Sequence, residues 1–484
     1  MTDALADLKV ADFSWVVAGP VVGRALADFG ATVVRVESST HIETARMMQP
    51  FYDGKPGAEN SALYGTCNAG KLGLTLNLKQ PEGQAVARDL IRWADVVIES
   101  FSPGQMERWG LDYESVRPLN PSVIMLSTSL MGQTGPAAKL AGYGNIGASA
   151  SGYQDLVGWP DRQPIGPFGP YTDYVGPRFS LVLLLAALDR RRLTGQGCQL
   201  DVAQSEIGVF LLSPQLAEYF DRGTVAARRG NADQRFAPHG VFACLPDRDD
   251  ERFAAIAVTT DAQWQALASE IDRDAQQRAL ASEADSDAQR RALASEIDSD
   301  AQRNALAAET DRDAHPRALP SEIGSDAQPR PLAFATGNDA PRDVLATGTG
   351  APALVDDPRY RTEAGRLAAS AELEEIVAAW TAGQRAEDVT ARLQRRGVPA
   401  HVAASSADWS RDPQLAHRGH LRALPHDQFG TATVEGPRYL LSDTPGEVRR
   451  PAPRLGQDNE HVLRTLLGYD AATCARLADS GALT

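Results

Sequence analysis

An α/β fold with a parallel sheet is what this sequence predicts, on three observations. Strand-like and helix-like segments alternate through the first 135 residues. The turn Ala18-Gly19-Pro20 joins the first strand to the first helix. The 484 residues, 43% of them apolar, can build two hydrophobic cores but exceed one simple core.

The elements follow in order. Lys9 to Phe13 reads as a strand, a helix runs from the glycine turn to near Gly30, and Ala31 to Glu37 (ATVVRVE) is a second strand. Further strands are expected at Leu74 to Leu78, Val96 to Glu99 and Val123 to Ser127, with helices at Pro81 to Trp93 and Gly104 to Arg108. A long apolar helix is expected from about Pro177 to Arg192. Thr194-Gly195-Gln196-Gly197 stops it, and Cys198 to Val202 resumes as a strand. Mixed strands and turns run from Arg229 to Val258, and helices are expected again at Ala371 to Trp380 and Ala386 to Arg395. Gly436 to Gly456 reads as an extended crossing segment, followed by short helices at Asn459 to Leu467 and Ala471 to Leu477.

Between these parts lies a tandem repeat. Asp261, Asp274, Asp287, Asp300, Asp313 and Asp326 each open a copy of a 13-residue unit, with Leu267, Leu280, Leu293, Leu306, Leu319 and Leu332 in register. At about 100° per residue, 13 residues carry a helix about 220° beyond three turns, so successive leucines do not share a face. The unit is also shorter than the ~20 to 50 residues of a stacking repeat, and Pro316, Pro320, Pro329 and Pro331 interrupt the last copies. The expectation is a duplicated, partly helical and solvated stretch at about 261–338, inserted into an ordinary domain.

Charge and composition narrow the function. A formal charge of −15 argues against nucleic acid as a partner, since phosphate backbones call for a basic surface. Residues 261–333 carry 15 acidic and 8 basic side chains, so nearly half of that charge belongs to the repeat and the rest of the chain can still bind a small anion. The apolar run Phe179 to Leu188 is short and bounded by Arg178 and Asp189, which predicts a buried helix rather than a membrane span. Asp3, Asp7 and Lys9 interrupt any signal-peptide core, and a cytoplasmic enzyme is expected. Cys67, Cys198, Cys244 and Cys474 are scattered without ligand spacing, so neither a metal nor a disulfide framework is expected.

The candidate chemistry centres on one carboxylate. The opening turn Gly19-Pro20-Val21-Val22-Gly23 lacks the GxGxxG pattern of dinucleotide folds, and Pro20 stands where a second glycine would approach pyrophosphate. Thr172-Asp173-Tyr174 precedes the apolar helix, so Thr172 or Asp173 can cap it. Equally, with Gly166, Gly169 and Gly176 thinning the backbone around it, the Asp173 carboxylate can attack an activated carbonyl while helix N–H groups stabilise the developing charge. No GxSxG or HExxH occurs, and among the histidines His239 alone sits in a turn worth inspection.

Ordered blocks along the chain resemble family III CoA-transferases, the CaiB/BaiF or carnitine-dehydratase-like group. They include VADFSWVVAGP near the start, VVRVE at 33–37, LNLKQPEG at 76–83, VIESFSPGQMERWGL at 97–111 and AALDRRRLTGQGCQLDVAQSE at 186–206. DDPRY at 356–360, RRGVPA at 395–400 and PAPRLGQDNEHVLRTLLG at 451–468 continue the series, and the repeat stands outside it. The resemblance implies a large Rossmann-like domain built from both chain ends, 1–208 and 437–484, a smaller mixed α/β domain within 209–436, and an interlocked homodimer. It implies transfer of coenzyme A from an acyl-CoA to a carboxylic acid without a metal. By position Asp173 matches the nucleophile, passing through a mixed anhydride and an aspartyl-CoA thioester.

The same resemblance assigns CoA contacts. Val16, Val17 and Ala18 match a turn meeting the nucleotide; Leu76 and Lys79 match a strand edge near adenine and phosphate; Ser100, Phe101, Arg108, Trp109 and Tyr143 complete the set. Arg108 is the expected phosphate partner, since guanidinium engages oxygens in pairs. Ser38 stands where some members carry a phosphate-binding arginine, for which Arg35 or Lys71 could substitute, and Ser100 replaces an asparagine. Racemases of the group use a histidine where this chain has Gly142-Tyr143-Gly144-Asn145, so transfer is favoured over racemisation and over a non-catalytic CoA-binding role. Gly158-Trp159-Pro160-Asp161-Arg162 is similar to members acting on succinyl-CoA and aromatic or dicarboxylic acids.

Overall fold

The structure, a computed structural model, describes residues 3–248, 250–310 and 353–484. Two compact units result, one formed by 1–230 with 405–484 and the other by 231–404.

The first unit is built on six strands: β1 (Lys9–Asp12), β2 (Thr32–Glu37), β3 (Leu72–Thr75), β4 (Val96–Glu99), β5 (Ile124–Ser129) and β6 (Cys198–Ala203). All pairings are parallel, in the order β3-β2-β1-β4-β5-β6. The order reverses between β1 and β4, and a doubly wound sheet opens its ligand crevice at the carboxyl ends of strands flanking such a reversal. Two apolar layers cover the faces. Val34, Leu74, Val86, Leu90 and Val462 belong to one, and Val10, Leu26, Ile124, Leu184 and Leu188 to the other. The predicted α/β class therefore holds, and the helices Pro81–Trp93 and Ala386–Arg395 fall where the sequence placed them.

Two boundaries moved for identifiable reasons. β3 begins two residues early, at Leu72 rather than Leu74, and includes Gly73. A Cβ there would meet Pro453 Cβ at 2.8 Å and the Arg454 carbonyl at 2.9 Å, so glycine serves close chain passage, not a turn. The long helix spans Tyr171–Thr194 rather than starting at Pro177, which lies inside it and removes the bond to the Asp173 carbonyl.

In the second unit β7 (His239–Asp247), β8 (Asp250–Ala257) and β9 (Ala400–Val402) form an antiparallel sheet. Its core joins Phe242, Ile256, Tyr360, Val377, Trp380 and Leu393 to Trp264, Leu267, Ala268 and Ile271. The last four belong to the first copy of the 13-residue unit, so that copy is the domain's own helix and not part of an insertion. Asp272 accepts the N–H groups of Leu354 (2.8 Å) and Val355 (2.9 Å), and Asp274 accepts Trp380 Nε1 (3.0 Å).

The helix continues as Asp261–Thr310, and the rotation of about 220° per copy now has a visible result. Leu267 is fully buried, while Leu280 and Leu293 are 59% and 63% exposed. The second and third leucines thus project into solvent; residues 311–352, with Pro316, Pro320, Pro329 and Pro331, lie outside the described residues. Deleting one copy, 287–299, should change the melting temperature by no more than about 2 °C, because Leu293 is exposed and exposed positions contribute within about 0.5 kcal/mol. A scanning-fluorimetry comparison of the two chains checks this.

β10 (Leu421–His426) and β11 (Gly430–Glu435) form an antiparallel hairpin in the first unit. Among the described residues no helix is long and apolar enough to cross a membrane, and all four cysteines are free.

Candidate active site

Two adjoining cavities open at the carboxyl ends of β1 and β4, of about 410 and about 440 Å³. Trp15, Phe101 and Ser102 line both. The loop after β1 and the loop after β4 are tied where Trp15 N–H donates to Ser100 Oγ at 2.8 Å. Phe101 is fixed by its own N–H, which donates to Glu99 Oε2 at 2.9 Å.

The first cavity is flanked by aromatic rings. Phe101 packs edge-on against Trp109 at 5.2 Å and Trp15 at 5.8 Å, and Trp15 lies 5.3 Å from His41. Leu76, Lys79, Phe101, Arg108 and Trp109 from the expected CoA set all line it, with Lys79 and Arg108 at its rim. The Arg108 guanidinium is bonded to Gln105 Oε1. Ser38 also lines this cavity, its hydroxyl donating to the Thr484 carbonyl at 3.1 Å. The suggestion that Arg35 or Lys71 replaces a missing phosphate ligand is corrected. Both side chains are fully buried, facing Asp12 at 3.6 Å and 2.7 Å, and cannot reach a ligand.

The second cavity brings together Val16, Val17, Ala18, Ser100, Phe101, Tyr143 and Asp173. Asp173 is 5% exposed, yet its side chain belongs to the cavity wall. It does not cap the helix: Pro170 occupies the cap position, and Asp173 sits three residues in. Its Oδ2 instead accepts the N–H of Gly144 at 3.1 Å, from the first residue of the helix Gly144–Ala150.

Gly144 has to be glycine for this contact, since a Cβ would meet the Pro170 carbonyl at 2.7 Å and Asp173 Cγ at 2.8 Å. Gly166, Gly169 and Gly176 do not line the cavity; the glycine that does is Gly142, while Gly144 leaves the space that the Asp173 carboxyl occupies.

Gln204, just after β6, completes the surroundings. Thr172 Oγ1 donates to Gln204 Oε1 at 3.0 Å and to the Gly144 carbonyl at 3.1 Å, and Gln204 lines the cavity beside Asp173. Burial pushes the Asp173 carboxyl up to about 6, against the opposing pull of the Gly144 N–H and Gln204. At neutral pH the group is therefore mostly ionised, but poorly solvated and accepting the Gly144 N–H. That suits a carboxylate nucleophile whose own carbonyl oxygen becomes negative when attacked.

His239 lies in the second unit, its Nδ1 bonded to the Asn231 carbonyl at 2.7 Å. Sequence reasoning missed Gln204, Trp15 and His41. The rule that ligands gather at the carboxyl ends of parallel strands would have flagged the first two, at the ends of β6 and β1. Among the described residues no cluster of three or more histidine, cysteine or acidic side chains is arranged to hold a metal ion.

Fold and site together define an α/β enzyme that carries a buried carboxylate beside an aromatic-walled crevice. The chain belongs to CoA-transferase family III, whose pattern matches residues 5–320 and 301–459, the two matches overlapping within the tandem copies. It is 28% identical over 474 residues to the succinyl-CoA–D-citramalate CoA-transferase of Chloroflexus aurantiacus, covering 98% of this chain and 96% of that one. It is 29% identical over 466 residues to the succinate–glutarate CoA-transferase of Agrobacterium fabrum, covering 96% and 95%. Among solved structures, a CaiB/BaiF family protein from Brucella suis superposes with a TM-score of 0.72 at 25% identity, covering 96% of this chain and all of that one. The protein is accordingly an enzyme of the CoA-transferase class acting on CoA thioesters.

Proposed function

We propose that this enzyme moves CoA from a succinyl-CoA-type donor to a second carboxylic acid, with Asp173 as the nucleophile. The observation that carries this reading is the position of Asp173, ionisable near neutrality, in one cavity with the Val16–Ala18 turn and beside the aromatic cavity. The adenosine end occupies the aromatic cavity, with Arg108 and Lys79 near its phosphates, and the thioester reaches the cavity containing Asp173.

The Asp173 carboxylate attacks the thioester carbonyl, the C–S bond breaks, and a mixed anhydride forms as CoA thiolate departs. The thiolate then attacks the aspartyl carbonyl, releasing the first acid and leaving an aspartyl-CoA thioester. The incoming acid repeats these steps in reverse order. Gly144 N–H and the Gln204 amide stabilise the negative oxygen each time the aspartyl carbonyl is attacked.

A dicarboxylic acceptor is favoured because the two curated relatives described above are named for succinyl-CoA with D-citramalate and for succinate with glutarate. We also read the working form as a cytoplasmic homodimer. Val182, Leu193, Phe210 and Phe220 are exposed apolar side chains on the helices Tyr171–Thr194, Gln204–Leu211 and Ser213–Arg222, with Phe220 78% exposed, a pattern that suits a self-association surface.

Intact-protein mass spectrometry after incubation with succinyl-CoA tests the chemistry. An adduct of CoA mass on the wild type, absent from Asp173→Ala, is expected. A CoA adduct that persists in Asp173→Ala would refute the assignment.

A further inference from the structure

Val16 has φ +67°, and it is the β-branched member of the three non-glycine residues with positive φ among the described residues. A β-branched side chain rarely tolerates that region, so something must hold the residue there. The structure shows what does. Val16 N–H donates to Glu43 Oε1 at 2.5 Å, from a loop after β2. Glu43 is 1% exposed, and its other oxygen, Oε2, faces Arg35 Nη2 at 3.1 Å in a fully buried ion pair. Arg35 also faces Asp12, the last residue of β1, four residues before Val16.

Burying such charges is costly and seldom justified by stability alone. Here the carboxylate has one oxygen for a backbone N–H in the cavity wall and one for the cation behind it. Trp15 N–H is held independently by Ser100, so the turn is clamped at consecutive residues just before Val17 and Ala18 enter the helix.

We propose that Glu43, oriented by Arg35, is a positioning residue that locks Val16 at positive φ and so presents the Val16–Ala18 turn to the bound CoA thioester. This rests on reading the cavity shared with Asp173 as the thioester site.

Glu43→Gln is the informative change because it is isosteric. Its amide is neutral and has one oxygen where the carboxylate sets one against Val16 N–H and one against the Arg35 charge, and that oxygen turns to the cation. The amide N–H₂ then opposes Val16 N–H and the turn is released. Glycine at position 16 would hold positive φ without assistance.

The test is a four-protein cycle of wild type, Glu43→Gln, Val16→Gly and the double variant, with CoA binding measured by calorimetry and folding by thermal melting. Glu43→Gln should weaken CoA binding roughly 10-fold when position 16 is valine and less than about 3-fold in the Val16→Gly background. If Glu43→Gln does not fold but the double variant does, the rescue supports the same role. Equal losses in both backgrounds, no loss when position 16 is valine, or failure to fold in both would overturn it. A wild type that fails to bind CoA would instead remove the reading of the site itself.

Discussion

Asp173→Asn is expected to abolish CoA transfer while making the protein more stable. Activity should fall by at least ~10³-fold, because the amide cannot act as the attacking carboxylate and no covalent intermediate forms. Stability should move the other way. Burial lifts the Asp173 carboxyl from its ordinary 3.8 to about 6, so keeping it ionised at pH 7 costs on the order of 3 kcal/mol. Because the folded-state value is raised, the protein is more stable when this group is protonated. The cost is fully present above about pH 6 and disappears below about pH 4, near its unfolded value. The gain from Asn should follow that curve, amounting to a few degrees in melting temperature at pH 7.5 and shrinking towards pH 4. In the wild type, kcat/KM should decline on the acid side with an apparent pKa of about 6. A variant as stable as wild type at every pH, or an acid limb near 4, would show that burial does not tune this group.

Such a trade between stability and reactivity explains why the site was only partly legible from sequence. Asp173 could be singled out because glycines surround it and its position matches a family nucleophile, and Val16 to Ala18, Phe101, Arg108 and Trp109 because they sit in ordered blocks shared with a family. The parallel sheet followed from the alternation of strands and helices, since each crossover helix returns the chain to the end of the sheet from which the strand before it started. What could not be read was anything fixed by a contact between distant segments. Gly144 looks like a loop residue until Asp173, 29 positions later, is seen to occupy the space of its missing Cβ. Arg35 and Lys71 look like free cations until Arg35 proves to face Glu43 and Asp12, and Lys71 to be bonded to Asp12. Periodicity argued correctly that the repeated leucines cannot share a face, but it could not show that the first copy supplies Trp264 and Leu267 to a core. Only the residues packed in one core with it, Trp380 and Leu393 among them, distinguish the original helix from its duplicates.

Lys71→Met should carry the largest penalty in stability, about 3 to 5 kcal/mol, because it breaks a buried pair and leaves the other charge behind. Lys71 is fully buried, and its Nζ donates to Asp12 Oδ2 at 2.7 Å, the Pro20 carbonyl at 2.8 Å and Asn68 Oδ1 at 2.8 Å. Methionine fills a similar volume but satisfies none of these. Burial pushes the Asp12 carboxyl up, and Lys71 with Arg35 outweighs it, so the net shift is downward. Its depressed value means that the pair stabilises the fold above the ordinary carboxylate range and loses that contribution as pH falls through it. The penalty in urea unfolding should therefore be greatest at neutral pH and smaller in acid. Asp12→Asn with Lys71→Met should cost less than the sum of the single changes by more than about 1 kcal/mol, since each single change strands the partner's charge. Pro20 lies in the first turn of the helix Ala18–Asp28, whose first residue faces the cavity shared with Asp173. Loss of the lysine should accordingly weaken CoA binding even where the protein remains folded. A Lys71→Met protein of native stability and affinity would mean that the buried ions neither support the sheet nor hold the turn.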